Sequence, residues 1–422
     1  MTKRYVYTFG AKSYGDQFRK EAADMGITAV HIIDERPDKP SYAKTVEQIM
    51  ADFETQYDPE SSVLGFVSFG RASVIGGLEH TAKAWELLHA KHAGLKATKF
   101  IGPSYAAARK FFNKKRMSKL FVEYGIDIPA TKDLTGRLAD ELIVELKAEK
   151  FPFPALIKTT ELAGGRGMAL VRSLDDFTAT FEELKGLGLT EFILSEYIDG
   201  LEVSFAAVRL DDTFLRLPPC YKEETYTDLT HPDSKVKLTG VFKYFDDIYE
   251  KLERIMQQEK ITGFIFIEAI LQRTSEGGYS LKFIEGATRL GGNSVLEFAS
   301  LEGFSLHHAL LEWLTTGNVD FPFGEKNLLC VQHATFTHHG QEDVEKLLAK
   351  PWVLEAKLED LGSMPFSTDK RTRIRISFVG PDMPTASQRL QEIGGIVGNS
   401  DYAPHVNGIF KMYQQRYPEL CL

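Results

Sequence analysis

A chain of 422 residues, 43% hydrophobic and 26% charged, is long enough for two or three domains with cores of their own. Its net charge of −9 is spread along the chain, which removes the electrostatic reason to expect nucleic acid or an anionic membrane as main partner. Three scattered cysteines, Cys220, Cys330 and Cys421, suit neither a disulfide framework nor a zinc site; they read as buried thiols in a reducing, cytoplasmic setting. The start MTKRYVYTFGAKSYG lacks the apolar segment of a leader, and no run approaches the roughly 18 apolar residues of a membrane span.

The first hundred residues alternate between two periodicities. Tyr5–Gly10 predicts a strand, Gln17–Met25 a helix, Ala29–Ile33 and Val63–Phe69 strands, and Leu78–His92 a helix. Lys99–Ile101 closes the block at a Gly102-Pro103 break. Such alternation implies a parallel sheet covered by helices. The first turn, GAKSYG, lacks the glycine fingerprint of a dinucleotide site. Met117, Leu120, Phe121 and Tyr124 then fall at helical spacing, with Gly125 as a left-handed cap. A strand-rich region follows: Ala155–Lys158, Met168–Val171, Phe192–Tyr197, Glu202–Val208, Phe264–Leu271 and Ser280–Glu285. From about Thr316, strands Leu329–His333 and Arg373–Val379 mix with a helix over Thr385–Ile393.

The stretch KTTELAGGRGMALV, Lys158 to Val171, places lysine before its glycines and re-enters a strand at Met168. That order excludes a Walker A loop, where lysine follows the glycines and opens a helix. It also excludes the protein-kinase loop, since nothing here resembles its later motifs. The pattern is a hairpin whose glycine tip lets backbone N–H groups approach anionic oxygens. Taken alone, it is most simply a surface turn. Lys114 likewise reads as one solvated charge among Lys110, Lys115 and Lys119, and Glu202 as an exposed acid. Glu268 in GFIFIEAIL and Glu285 in LKFIEGATRLGGN are harder to dismiss, because a carboxylate inside an apolar strand needs a compensating partner. Two such acids on neighbouring strands suit magnesium, which takes oxygen ligands.

In this order, Lys114, Lys158 with its glycines, SEYIDGLEVSF, the two strand glutamates and Arg289 make the segment from Phe111 to Leu314 resemble an ATP-grasp domain. That superfamily includes many carboxylate–amine ligases, and the first block resembles the Rossmann-like domain that precedes it there. The resemblance implies an α/β and α+β chain: residues 1–110 Rossmann-like, 111–315 ATP-grasp with a mobile lid over about 115–195, and 316–422 a smaller mixed domain. It implies that Lys114 and Lys158 contact phosphate and that Gly164, Gly165 and Gly167 form the mobile loop. It places the backbone of Glu196 and Ile198 at adenine and Glu202 near the ribose. Glu268 and Glu285 become ligands of Mg2+, with Mn2+ admitted in its place, and Arg289 steadies the acyl phosphate or carboxylate. Ser195 departs from the pattern where many relatives carry an acid, and Ala287 where many carry a metal-binding asparagine.

Within the superfamily, IGPS at Ile101–Ser104 is similar to phosphoribosylamine–glycine ligases. CYKEETYTDLTHPDSKV with GATRLGG looks more like the L-amino-acid ligases and adds Lys222 and His231 on the substrate side. The expected activity is ATP-dependent joining of a small-molecule carboxylate and an amine, through an acyl phosphate, by a cytoplasmic enzyme that forms an amide or peptide bond. The alternatives left open are a phosphoribosylamine–glycine ligase-like enzyme and a non-catalytic ATP-binding sensor. A homodimer is also left open.

Overall fold

The computed structural model describes residues 3–10, 12–70, 76–162, 167–222, 234–291, 294–321, 328–335, 340–360, 372–399 and 401–422. Among these, thirteen strands form one sheet. At one end Thr28–Ile33, Arg4–Gly10, Ser62–Ser68 and Lys99–Pro103 run parallel. Parallel neighbours require crossovers, which the helices Lys12–Asp24 and Gly77–Lys91 provide. Both faces are covered, as a parallel sheet demands. Tyr7, Phe53, Phe66 and Trp85 pack on one side, while Val6, Phe18, Val67 and Ile101 pack on the other with Leu310 and Trp313.

The Gly102-Pro103 pair does not close the block as the sequence suggests. The backbone stays extended there, and Gly102 and Pro103 pair antiparallel with Thr262 and Ile261. Proline is tolerated because it is the strand's last residue, where its missing N–H interrupts no longer ladder. The parallel sheet therefore continues into an antiparallel one. Ile261–Arg273 pairs with Leu201–Leu210 on one side and Tyr279–Ala287 on the other. Beyond Leu201–Leu210 come Cys220–Lys222, Ser234–Thr239, Leu329–Thr335, Thr372–Gly380 and the edge strand Val353–Asp360. One face of this half, including Val203, Phe205, Ile265 and Ile267, is buried against the helix Asp246–Gln258 through Ile248, Leu252 and Ile255.

A separate four-stranded antiparallel sheet holds the two strands of the lysine–glycine hairpin, in the order Thr131–Asp133, Phe192–Glu196, Ala155–Thr159, Met168–Val171. Its own core joins Ile157, Val171 and Leu194 to the helices Ala139–Glu149 and Leu174–Gly186 through Leu142, Leu146, Phe177 and Phe181. The helix Lys114–Glu123 connects the two sheets. Asn113 caps it by accepting from the Lys115 and Arg116 amides, and its side-chain nitrogen donates to Glu191 of the small sheet's side at 3.2 Å. Met117, Leu120 and Phe121 enter the large core, and Gly125 ends the helix region at φ +67°. Cys220 and Cys330 are buried, whereas Cys421, near the chain end, is only partly so.

Candidate active site

The floor of the site is set by strand register. Glu268 lies directly opposite Glu285, so both carboxylates project from the same side of the sheet. A bulge follows, after which Ala269 faces Phe283, and it confines the coincidence of the two acids to this position. Ser204 is opposite Glu268 on the next strand, and Glu202, two residues earlier, shares its side. Lys222 is 5% exposed, and its Nζ donates to Glu202 and, at 2.5 Å, to Glu268 Oε1. The Glu285 carboxylate has no hydrogen bond or ion pair among the described residues.

Both lysines come from outside this sheet. Lys158 sits in the small sheet opposite Met168 and Ile193, is 9% exposed, and forms no side-chain hydrogen bond among the described residues. Burial pushes its ammonium down to about 8; the charge of Lys114 pushes the same way, while Glu285, Glu202 and Glu268 pull it back up. Five charged groups, from four strands and one helix, thus converge. Lys114 is the first residue of its helix; its amide donates to the Thr160 carbonyl at 2.9 Å and its Nζ to the Leu162 carbonyl. These bonds fix the helix start to the hairpin base. Gly167 closes that base: its carbonyl accepts from Thr159 N at 3.1 Å, its φ is +62°, and a Cβ there would stand 2.7 Å from Thr159 Cγ2. Gly164, Gly165 and His231 lie outside the described residues.

Leaving the small sheet, the chain passes through Glu196 and Ile198, the two residues whose backbone the resemblance places at adenine. The Glu196 amide donates to Ala130 O at 2.8 Å and its Oε2 accepts from Ala130 N at 3.1 Å, so that N–H is already committed. Ile198 forms no backbone hydrogen bond among the described residues. Ser195 is buried, and Ala287 faces Phe266 across the ladder. Arg289 follows the strand Tyr279–Ala287, and its Nη1 donates to the Leu290 carbonyl at 2.7 Å. It packs against Gly70, just beyond the strand Ser62–Ser68, where a Cβ would be 3.0 Å from the Arg289 Cβ. The carboxyl end of a parallel strand thus abuts the antiparallel half's arginine, a usual ligand position in α/β sheets.

Two further charged residues are not among those expected from the sequence. Lys237 lies opposite Lys222 in the ladder. Glu297, on the short helix Ser294–Ala299, is fully buried, and neither carboxylate oxygen has a hydrogen-bond partner among the described residues. Burial pushes its carboxyl up to about 8; Lys237 pulls it down, Glu268 pushes it up, and Ser204 and Lys222 pull it down. The only sequence signal is an acid at the centre of the apolar run SVLEFA. Among the described residues no group of three or more His, Cys, Asp or Glu gathers for a metal. Directly opposite in register, the Glu268–Glu285 pair would suit a cation that accepts two carboxylates and completes its shell with water and phosphate oxygens, as magnesium does.

Similarity to known proteins agrees with this geometry. No protein-family model matches the chain. Over 137 residues it is 28% identical to a carbamoyl-phosphate synthase of Methanobrevibacter smithii, a match covering 32% of this chain and 34% of that protein. Over 117 residues it is 32% identical to a D-alanine–D-alanine ligase of Coprothermobacter proteolyticus, covering 27% and 36% respectively. The chain thus matches about a third of the length of these relatives. Solved structures align over nearly the whole chain. The biotin carboxylase domain of 2-oxoglutarate carboxylase from Hydrogenobacter thermophilus, solved with MgADP, superposes with a TM-score of 0.66 at 13% identity, over 97% of this chain and 99% of that one. An L-amino acid ligase from Bacillus licheniformis gives 0.65 at 14%, over 93% and 98%. The chain has the ATP-grasp fold. The small sheet carrying Lys158 and the antiparallel half carrying Glu268 and Glu285 are the two parts of the chain that bring these charged groups together. No helix among the described residues is long and apolar enough to cross a membrane.

Proposed function

We propose that this protein is an ATP-dependent carboxylate–amine ligase acting on an amino acid or another small carboxylate. The observation that carries the reading is the buried Lys158 ammonium, which has no side-chain hydrogen bond among the described residues and stands over the Glu268–Glu285 pair. A buried cation requires an anion to face it, and nucleotide phosphate is the anion this setting suits. The order of charge, lysines above and acids below, matches a phosphate held between ammonium groups and a carboxylate-bound cation.

In the proposed reaction the carboxylate oxygen attacks the γ-phosphorus and ADP leaves, giving an acyl phosphate. The amine then attacks the acyl carbon, phosphate leaves with the bonding pair, and the amine loses a proton to the medium. Lys114 and Lys158 offset phosphate charge, where positioning and electrostatics supply most of the rate. Glu268 and Glu285 would hold the magnesium, which when bound supplies charge neutralisation at the phosphates. Arg289 presents a planar fork to the carboxylate, and its backing by Gly70 fixes where that fork starts. The hairpin above excludes water from the acyl phosphate.

An ADP-release screen over amino acids and small carboxylates, with hydroxylamine trapping any acyl phosphate as a hydroxamate, tests this reading. Carboxylate-dependent hydroxamate and ADP in equal amounts are the expected result. Ala287, which offers no amide oxygen beside Glu285, favours a second reading: an ATP-binding protein without turnover. Nucleotide binding with no ADP release across the screen would select it and sink the first.

A further inference from the structure

One ammonium serves two acids that the proposed reaction uses differently. Lys222 Nζ bridges Glu202, on the nucleotide side, and Glu268, on the cation side. The arrangement is built into the sheet. Tyr221 pairs with Val203 and Cys220 with Ser204, which sets Lys222 beside Glu202, while Ser204 pairs with Glu268. The Lys222 side chain is 6% exposed, against 18% and 17% for the two acids, so the ammonium lies deeper than the carboxylates it holds. On its other flank stands Lys237, directly opposite in the ladder and beside buried Glu297. Like charges across a ladder repel, so Lys222 is pressed toward Glu202 and Glu268.

A divalent cation held by Glu268 and Glu285 would share Glu268 with this ammonium, at a separation where charge repulsion is strong in a poorly hydrated site. We infer that Lys222 is a positioning residue that acts as the site's internal counter-ion. It holds Glu268 in the cation-free protein and shifts onto Glu202 when a divalent cation binds, so cation affinity is set by competition with its ammonium. This rests on the reading of Glu268 and Glu285 as cation ligands. It also changes what Lys222 does, from a contact with substrate to a control on the floor beneath it. By linkage, whatever draws Lys222 toward Glu202 tightens cation binding, and the reverse holds equally.

Mn2+ binding to the full chain, followed by loss of the free-ion electron paramagnetic resonance signal with no carboxylate or amine present, tests the inference. Lys222→Met is expected to tighten Mn2+ binding about tenfold, and Lys222→Arg, which keeps the charge, to change it less than about threefold. Glu202→Gln leaves the ammonium to Glu268 alone and is expected to weaken Mn2+ binding about threefold or more. Unchanged or weaker binding in a Lys222→Met protein with native circular dichroism overturns the inference. Should that variant fail to fold, unchanged or tighter binding by Glu202→Gln overturns it instead. Wild-type binding that disappears in Glu285→Gln, combined with no effect at Lys222, would remove this inference and leave the proposed reaction standing. Absence of Mn2+ binding by the wild-type protein would remove the cation reading and this inference together.

Discussion

Replacing Lys158 by methionine should make the protein more stable while disabling it. The unfolded lysine titrates near 10.5 and the folded one at about 8, because burial disfavours the charged form more than the nearby acids favour it. Between those pH values the unfolded chain binds more protons, so stability rises with pH, and below about 8 the full cost of the buried charge is present. The separation corresponds to about 3 kcal/mol, carried by the wild-type protein at pH 7 and absent from Lys158→Met. Urea unfolding of both proteins at pH 7 and pH 9.5 reads it directly. The variant should be more stable by about 3 kcal/mol at pH 7, and by about half that at pH 9.5. Nucleotide should bind the variant at least about a hundredfold more weakly, since a charge-assisted phosphate contact in a dry site is lost. A variant less stable at pH 7, or a difference indifferent to pH, would refute the account of Lys158 as a cation awaiting its anion.

Glu297 titrates in the opposite sense. Its folded carboxyl is raised from 4.5 to about 8, so stability from this residue is lost as pH rises between those values. The advantage of Glu297→Gln in chemical unfolding should therefore grow by about 3 kcal/mol from pH 5 to pH 7.5, and a flat difference contradicts it. Gly286→Ala places a methyl 2.9 Å from Phe121 Cζ and 3.0 Å from Ile267 Cγ2, beside Glu285. It should cost about 1–3 kcal/mol and lower the melting temperature; an unchanged melt would mean that the ring has room to turn. Gly70→Ala combines φ +51° with contact to Arg289, so a loss of about 1–2 kcal/mol and a raised KM for the carboxylate are expected. Wild-type values for both quantities would detach Gly70 from the arginine.

Periodicity located the strands well because the buried runs are long and apolar on at least one face. GFIFIEAIL reads as a strand in sequence and is one, Ile261–Arg273. Ends are less legible. The first helix begins at Lys12 rather than Gln17, and Lys99–Pro103 runs through its glycine and proline, because the partner strand that extends it lies far along the chain. The site divides in the same way. Glu268 and Glu285 are conspicuous as acids among apolar neighbours, but their alignment depends on a register that a bulge resets one residue later. Lys222 attracts attention only by resemblance; its capture by Glu202 and Glu268 spans 20 and 46 residues of sequence and follows from pairings that no local pattern encodes. Lys237 and Glu297 stayed silent for the same reason.

The helix Lys114–Glu123 explains why its own Lys114 and the small sheet's Lys158 meet acids of the large sheet. Its far end is held by the large core: Phe121 packs edge-on to Phe111 and Phe283, and its ring limits the space at Gly286, next to Glu285. Its near end is tied to the small sheet and its hairpin, through Lys114 to Thr160 and Leu162 and through the Lys115–Asp133 ion pair. Were the small sheet to move as the proposed lid, it would tilt about the helix start, because its hairpin base cannot part from Lys114 without giving up those carbonyl contacts. In that proposal Lys114 is the pivot and Lys158 the moving charge. Opening the lid would separate Lys158 from the acids, rehydrate its ammonium and restore its ordinary proton affinity. Closing it would bury the charge again, which is favourable only when a phosphate is present to face it. On the proposed function, the desolvation cost at Lys158 would bias the empty protein toward an open lid, and nucleotide would reverse that bias through the same residue.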